Sequence, residues 1–109
     1  MELGRFSVSL TVKDLARSMA FYQALGFVQV FGDPTKRWVI LANGEAKIGL
    51  FQGMFESNLL TFNPPDARAI QAAIRAAGYP IDKEAEPGEG PAHLVLKDPD
   101  GNAILIDQH

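Results

Sequence analysis

The sequence predicts an α+β fold, a single domain spanning residues 1–109 with two βαβββ modules at about residues 4–52 and 57–108. Two observations support this prediction. A helix-like segment recurs without a gap at an offset of 52 residues, from Asp14 to Asp66. In both copies one strand-like run precedes this segment and three follow it. A chain of 109 residues is long enough to bury one hydrophobic core and too short for two.

The first module begins with a strand of alternating character. Residues 6, 8, 10 and 12 are apolar and residues 7, 9 and 11 are polar, the period of a strand with one apolar face. The helix that follows begins after Asp14, which can cap its first N–H groups, and ends before Gly26, which suits a left-handed residue. Strands are then predicted at residues 28–31, 38–42 and 47–51, with a hairpin turn at Asn43-Gly44.

The second module repeats this order. Its first strand lies at about residues 59–63, and its helix runs from the cap Asp66 to Gly78. Further strands are predicted at residues 81–84, 93–97 and 103–107, the last two joined by a turn at residues 98–101.

The composition excludes several classes of function. A net charge of −3 with no basic run argues against a nucleic-acid partner. There is no run of eighteen apolar residues and no signal-peptide pattern, so we expect no membrane association and a cytoplasmic location. The chain has no cysteine, which excludes disulfides, thiolate nucleophiles and sulfur-ligated zinc.

Several motifs resemble the vicinal-oxygen-chelate superfamily, which includes glyoxalases, bleomycin-resistance proteins and dioxygenases. The motifs are Leu10-Thr11-Val12-Lys13-Asp14-Leu15 with Ser18, Phe21-Tyr22, Leu25-Gly26-Phe27 and Asp98-Pro99-Asp100-Gly101-Asn102. The resemblance covers essentially the whole chain. It implies a glyoxalase/bleomycin-resistance-like fold with curved mixed sheets around a cup. In metal-using members it also implies one His, Glu or Gln ligand from the first and last strand of each module.

The positions that match those ligands carry other residues. The resemblance places them at Ser7 and Leu59 in the first strands, or at Asn58 if that strand slips by one, and at Gly49 and Leu105 in the last strands. A divalent cation of this kind needs imidazole nitrogen or carboxylate oxygen. We therefore expect a superfamily member that lacks the metal ligands, with no metal and no cofactor.

The side chains that face away from the helices form the predicted ligand-binding set. They are Ser7, Ser9, Trp38, Lys47, Phe51, Leu59, Thr61, His93, Leu105 and Asp107. Such a mixture of apolar, hydroxyl and charged groups suits an amphipathic organic ligand. Trp38 and Phe51, with Met54 and Phe55, offer contacts to a planar ligand. The structural alternative is that these side chains fill the core or meet a second subunit.

His93 is the single candidate for acid/base chemistry, since the other histidine, His109, lies at the chain end. The repeat aligns it with Trp38. A histidine that merely packs in the sheet or at its edge is the alternative interpretation.

Three hypotheses about function follow. The first is a metal-free, non-catalytic or weakly catalytic small-molecule-binding homodimer that takes an apolar or aromatic ligand in a dimer cleft. The second is a metal-dependent enzyme, a glyoxalase-like lyase or isomerase or a dioxygenase type, with non-standard ligands such as His93 and Asp107. The third is an interaction module whose cup is filled by side chains.

Overall fold

The computed structural model describes residues 1–109 and contains seven strands and two α-helices, which confirms the α+β class. The elements are β1 (Arg5–Val12), α1 (Leu15–Ala24), β2 (Val28–Asp33), β3 (Trp38–Asn43), β4 (Ala46–Gln52), β5 (Leu59–Asn63), α2 (Ala67–Ala76), β6 (Ala92–Lys97) and β7 (Ala103–Gln108). A single 3-10 turn, Pro34–Lys36, follows β2. Neither ten-residue α-helix has the length and apolar composition of a membrane-crossing segment.

The chain divides into two compact units that follow the repeat. Residues Ser7–Asn58 form the first unit, where the strand order is β2-β3-β4-β1 and β1 pairs with β4 in parallel. Residues Leu59–His109, together with Met1–Phe6, form the second, where the order is β5-β7-β6 and β5 pairs with β7 in parallel. The hairpins β2-β3, β3-β4 and β6-β7 are antiparallel, so the pairing is mixed.

The prediction of a strand at residues 81–84 is wrong. This segment makes one isolated antiparallel bridge, from Lys83 to Val95 on β6. The N–H groups of Asp82 and Lys83 donate to the Val95 carbonyl, and the Val95 N–H donates back to Lys83. Pro80 and the Gly/Pro-rich residues 86–91 flank it, and proline has no N–H for a ladder. The second module is therefore βαββ with one bridge in place of a strand.

Each unit has its own apolar core between helix and sheet, so the expectation of one core in a chain of this length is wrong. In the first unit, Leu15 of α1 packs with Val39, Leu41 and Leu50, all fully or nearly fully buried. In the second unit, the core residues are Ala67, Ile70, Ala92, Leu94, Leu96 and Ile106. Burial of these side chains is the main source of stability in each unit.

The predicted helix caps are present in both modules. A carboxylate oxygen of Asp14 accepts a hydrogen bond from the Arg17 N–H at 3.1 Å, and one of Asp66 accepts from Ala69 at 3.0 Å. After the last turns, Gly26 and Gly78 have φ of 94° and 88°, the left-handed conformation that glycine adopts without strain.

A second capping contact ties each helix to the sheet. The side-chain oxygen of Gln52, the last residue of β4, accepts a hydrogen bond from the Leu15 N–H at 2.9 Å. Gln108, the last residue of β7, accepts one from the Ala67 N–H at 2.9 Å. Because the first N–H groups of a helix have no partner within the helix, these glutamines fix where each helix begins on its sheet.

Candidate functional site

The first unit presents a helix-free sheet face on which predicted site residues meet. Ile48 and Leu50 of β4 pack in the core beside α1, so Lys47, Gly49 and Phe51 lie on the opposite face. The register places Ser9 of β1 beside Gly49, and Trp38 of β3 beside Phe51. Ser7 and Ser9 are buried, whereas Trp38, Lys47 and Phe51 are half-buried.

Four aromatic side chains form a continuous series on this face, which we call the aromatic row: Phe31, Trp38, Phe51 and Phe55. The ring centroids of Trp38 and Phe51 lie 6.0 Å apart with planes within 2° of parallel. Phe31 lies 5.7 Å from Trp38, and Phe55 lies 5.1 Å from Phe51. Cross-strand aromatic pairs of this kind stabilise a sheet and expose flat apolar surface.

Gly49, the predicted ligand position on β4, lies beneath this row. A Cβ added to Gly49 would lie 2.5 Å from Cε2 of Phe51 and 3.1 Å from Cδ1 of Ile40. The Phe51 ring thus occupies the space into which a side chain at position 49 would project. An aromatic surface takes the place of a possible metal ligand.

An open groove borders the row at the edge strand β2. Its volume is about 640 Å³, and it is lined by Gln29, Val30, Phe31, Gly32, Asp33, Lys36 and Trp38. The hydroxyl and the backbone N–H of Thr35 both donate hydrogen bonds to the Asp33 carboxylate. These bonds lower the pKa of Asp33, and the hydroxyl contributes the larger part. The groove therefore combines two aromatic side chains with a carboxylate and an amine.

The second unit presents the other five predicted residues on its own helix-free face. Thr61 of β5 lies beside Leu105 of β7, and His93 of β6 lies directly opposite Asp107. Leu59 and Thr61 are buried, and His93 is exposed on the outer strand of this unit. The repeat therefore sets the pair His93–Asp107 where the first unit has Trp38–Phe51.

The four positions that match the superfamily's metal ligands do not fit a divalent cation. No group of three or more His, Cys, Asp or Glu side chains is close enough to hold a metal ion. No buried side-chain nitrogen or oxygen lacks a hydrogen-bond partner, so no orphaned donor marks a site. In the first unit the ligand positions hold a hydroxyl and a glycine, and in the second they hold two leucines.

A sequence model of the Glyoxalase/Bleomycin resistance protein/Dioxygenase superfamily matches residues 4–106. The chain belongs to this superfamily. The match confirms the resemblance seen in the motifs. Together with the mixed strand pairing and the helix of each unit, it also confirms the predicted fold. No curated protein matches the chain.

Solved structures of low identity share the superfamily fold. A glyoxalase/bleomycin resistance protein/dioxygenase superfamily member from Vibrio splendidus 12B01 aligns with a TM-score of 0.76 at 18% identity, over 96% of this chain and 98% of that chain. NAD-dependent benzaldehyde dehydrogenase from Legionella pneumophila aligns with a TM-score of 0.79 at 18% identity, over 94% and 97%. Methylmalonyl-CoA epimerase from Mycobacterium tuberculosis aligns with a TM-score of 0.68 at 18% identity, over 97% and 86%. These names cover different activities, so the scaffold alone does not identify a reaction.

Sequence reasoning missed the groove residues Phe31, Asp33 and Lys36. The sequence Asp33-Pro34 was an available signal, because an Asp cap followed by proline is typical of a helical start. The proximity of Phe31 to Trp38 depends on the β2-β3 register, which shifts by one residue between Gln29 and Phe31. Such an irregularity cannot be read from an alternating pattern.

Proposed function

We propose that this superfamily member is a metal-free small-molecule-binding protein that holds a flat apolar or aromatic ligand against the aromatic row, in a cleft completed by a second copy of the chain. The observation that supports this most directly is the parallel pair Trp38–Phe51 with Phe31 and Phe55 on either side. Aromatic rings bind flat ligands by offset stacking and by contact area.

The polar groups of the groove support an amphipathic rather than a purely apolar ligand. Asp33 and Lys36 both line the groove beside Phe31 and Trp38. A few charged groups around an apolar surface orient a ligand, while the surface supplies most of the affinity. An aromatic carboxylate or amine therefore suits this site.

The covering of Gly49 supports a role without a metal. The Phe51 ring fills the space into which a metal-ligating side chain at position 49 would project, and it offers contact area there instead. Residue 49 therefore supplies no ligand for the cation on which the metal-dependent chemistry of the superfamily relies.

A titration with a matched pair of probes tests the proposal. Naphthalene-2-carboxylate offers a flat ring and a carboxylate, whereas cyclohexanecarboxylate keeps the charge without the ring. Because the chain has a single tryptophan, the fluorescence of Trp38 reports binding directly. We expect saturable quenching by the naphthalene compound and much weaker binding of the cyclohexane compound; equal binding of both, or of neither, would count against the site.

The variant Trp38→Leu keeps an apolar side chain and removes the ring. Loss of stacking worth about 0.5–1.5 kcal/mol predicts binding weaker by up to about tenfold, measured by calorimetry. The matched control is Tyr79→Leu, which removes an exposed aromatic ring in the second unit. An equal loss of affinity in both variants would show that the aromatic row has no special part in binding.

A second candidate function is a metal-dependent lyase or isomerase. It is favoured by one observation, the position of His93 opposite Asp107, since imidazole and carboxylate are suitable metal ligands. This candidate requires stoichiometric metal in protein purified without chelator, measured by elemental analysis. It also requires that His93→Ala lower the metal content.

A further inference from the structure

The hairpin turn between β3 and β4 places an asparagine directly before a glycine at the surface. Asn43 ends β3 and pairs with Ala46, the first residue of β4, so only Gly44 and Glu45 form the turn. Gly44 has a φ of 58°, as the first residue of a two-residue type II′ turn requires. All four residues are exposed. Water therefore reaches both the side-chain amide of Asn43 and the peptide bond that follows it.

The backbone nitrogen of Gly44 is available as a nucleophile. Its N–H donates no hydrogen bond, because Gly44 lies in the turn and outside the β3-β4 ladder. A Cβ at this position would meet no atom within 4 Å, so the space around it is open. Glycine also has no side chain that could hinder the approach of its nitrogen to the preceding side chain. The Gly44 nitrogen can thus attack Cγ of Asn43.

The other three asparagines lack this combination. Asn63 precedes Pro64, whose nitrogen carries no hydrogen to lose. Asn58 and Asn102 each precede the first residue of a strand, β5 or β7, and that residue carries a Cβ. The sequence and the fold therefore distinguish Asn43 from the rest.

We propose that Asn43 is a site of spontaneous deamidation. The reacting nitrogen and carbon belong to adjacent residues, so the attack is intramolecular. The Gly44 nitrogen loses its proton as it bonds to Cγ of Asn43, and the Cγ–Nδ2 bond breaks to release ammonia and leave a cyclic succinimide. Water then opens either carbonyl of the ring, which gives aspartate or isoaspartate at position 43. One ammonia is lost, one water is gained, and no oxidant or cofactor takes part.

The reaction removes a contact at the end of α1. Nδ2 of Asn43 donates a hydrogen bond to the carbonyl of Leu25, the C-cap residue of α1, at 3.2 Å. A carboxylate cannot donate this bond, and its charge would lie at the negative end of the helix dipole. Isoaspartate also adds a methylene to the backbone where β3 and β4 pair. The first unit should therefore be less stable after deamidation.

Peptide mapping of aged protein tests the proposal. Trypsin releases residues 38–47 as one peptide, in which Asn43 is the sole asparagine. After incubation in mildly alkaline buffer, mass spectrometry should find the mass gain from amide to acid in this peptide and much less of it at Asn58 and Asn102. A sample unfolded in urea gives the rate of the flexible chain.

The comparison of native and unfolded samples decides the outcome. Because the Asn43–Leu25 hydrogen bond is exposed, its opening should slow the native reaction by about tenfold or less. Slowing of the native protein beyond this factor overturns the proposal, since the fold would then protect the amide. A native Asn43 that reacts no faster than Asn58 and Asn102 also overturns it.

A pair of variants tests the predicted loss of stability. Asn43→Asp carries the aspartate product in every molecule and should lower the midpoint of urea denaturation. Asn58→Asp is the matched control, because the side-chain oxygen of Asn58 accepts the Thr11 N–H at 3.0 Å, and a carboxylate keeps that acceptor. It should retain at least the wild-type midpoint. Equal midpoints of Asn43→Asp and the wild type, or equal losses in both variants, would contradict the role of the Leu25 contact.

Discussion

Gly49 and Phe51 show how a single pair of residues can decide what a site accepts. The two lie on the same face of β4, and the ring of Phe51 fills the space beside the Gly49 Cα. Trp38 pairs with Phe51 across the strands and fixes the ring further. A metal-ligating side chain at position 49 would thus require a change of that residue and also displacement of the Trp38–Phe51 pair.

A double-mutant cycle measures this contact. Gly49→Ala should destabilise the protein by about 1–3 kcal/mol, because its Cβ would overlap Phe51. In the Phe51→Ala background the overlap is gone, and Gly49→Ala should be neutral or stabilising because alanine restricts the unfolded chain. Urea denaturation gives both values. The same cost in both backgrounds would mean that Phe51 does not fill the space.

Sequence reasoning identified several of these residues but not their arrangement. The sequence predicts that Trp38 and Phe51 contact a planar bound molecule. It also places Gly49 at a position where metal-using relatives have a metal ligand. That Phe51 covers Gly49 could not be predicted, because it depends on side-chain orientation within one strand and on its neighbours. The placement of the predicted site in a cup stays a prediction.

At the level of elements, the helix ends illustrate what local sequence determines. The caps Asp14 and Asp66 and the glycines Gly26 and Gly78 act within a few residues of the helix, so the pattern was sufficient to predict them. Gln52 and Gln108 cap the same helices from strands 37 and 41 residues away. Long-range contacts of this type leave no local signal.

Replacing the capping glutamines tests their contribution. Gln52→Leu and Gln108→Leu each leave a helix N–H without its partner, and each should lower the free energy of unfolding by about 1 kcal/mol. Gln23→Leu, at an exposed position of α1, is the control and should change it by less than about 0.5 kcal/mol. Equal changes in the free energy of unfolding for all three substitutions would contradict a capping role of Gln52 and Gln108.

The turn between β6 and β7 gives a prediction about pH. The side-chain and backbone N–H groups of Asn102 and the N–H of Asp100 donate hydrogen bonds to Asp98, which lowers the pKa of its carboxyl group. A carboxyl with a lowered pKa adds stability above its unfolded value, near pH 4, and this stability is lost as the pH falls through the lower folded value. The stability difference between wild type and Asp98→Asn should therefore be largest above about pH 5 and shrink towards pH 3.

Urea denaturation at several pH values measures this difference. Asp100→Asn is the matched control, because the Asp100 side chain accepts none of these hydrogen bonds. It should keep the acid dependence of the wild type. A constant difference between wild type and Asp98→Asn across this range would contradict the assignment.

Residues 81–84, where a strand was predicted and none forms, show where local sequence misleads, in contrast to the helix ends. Ile81 contacts the core of the second unit, so an apolar residue was a correct sign of burial and a wrong sign of a strand. Only Lys83 pairs with β6, because Pro80 and the loop at residues 86–91 restrict the backbone on both sides. Periodicity over four residues cannot distinguish a strand from a single bridge.

For the whole molecule, the repeat defines the architecture and its asymmetries indicate function. Both modules share the capped helix, the parallel pairing of first and last strands and the final hairpin turn. They differ where one carries Trp38–Phe51 and the other His93–Asp107. Sequence alone identified the superfamily because the shared features are local and repeated. It could not identify the groove at β2, because the approach of Phe31 to Trp38 depends on the irregular β2-β3 register.

The most direct test of the account is calorimetric titration of naphthalene-2-carboxylate into chelator-treated protein and into the same protein supplied with zinc or manganese. The aromatic row binds through ring contacts and the Gly49 position offers no metal ligand. We therefore predict the same affinity in both samples. Binding that appears only when the metal is present would contradict a metal-free site in this superfamily member.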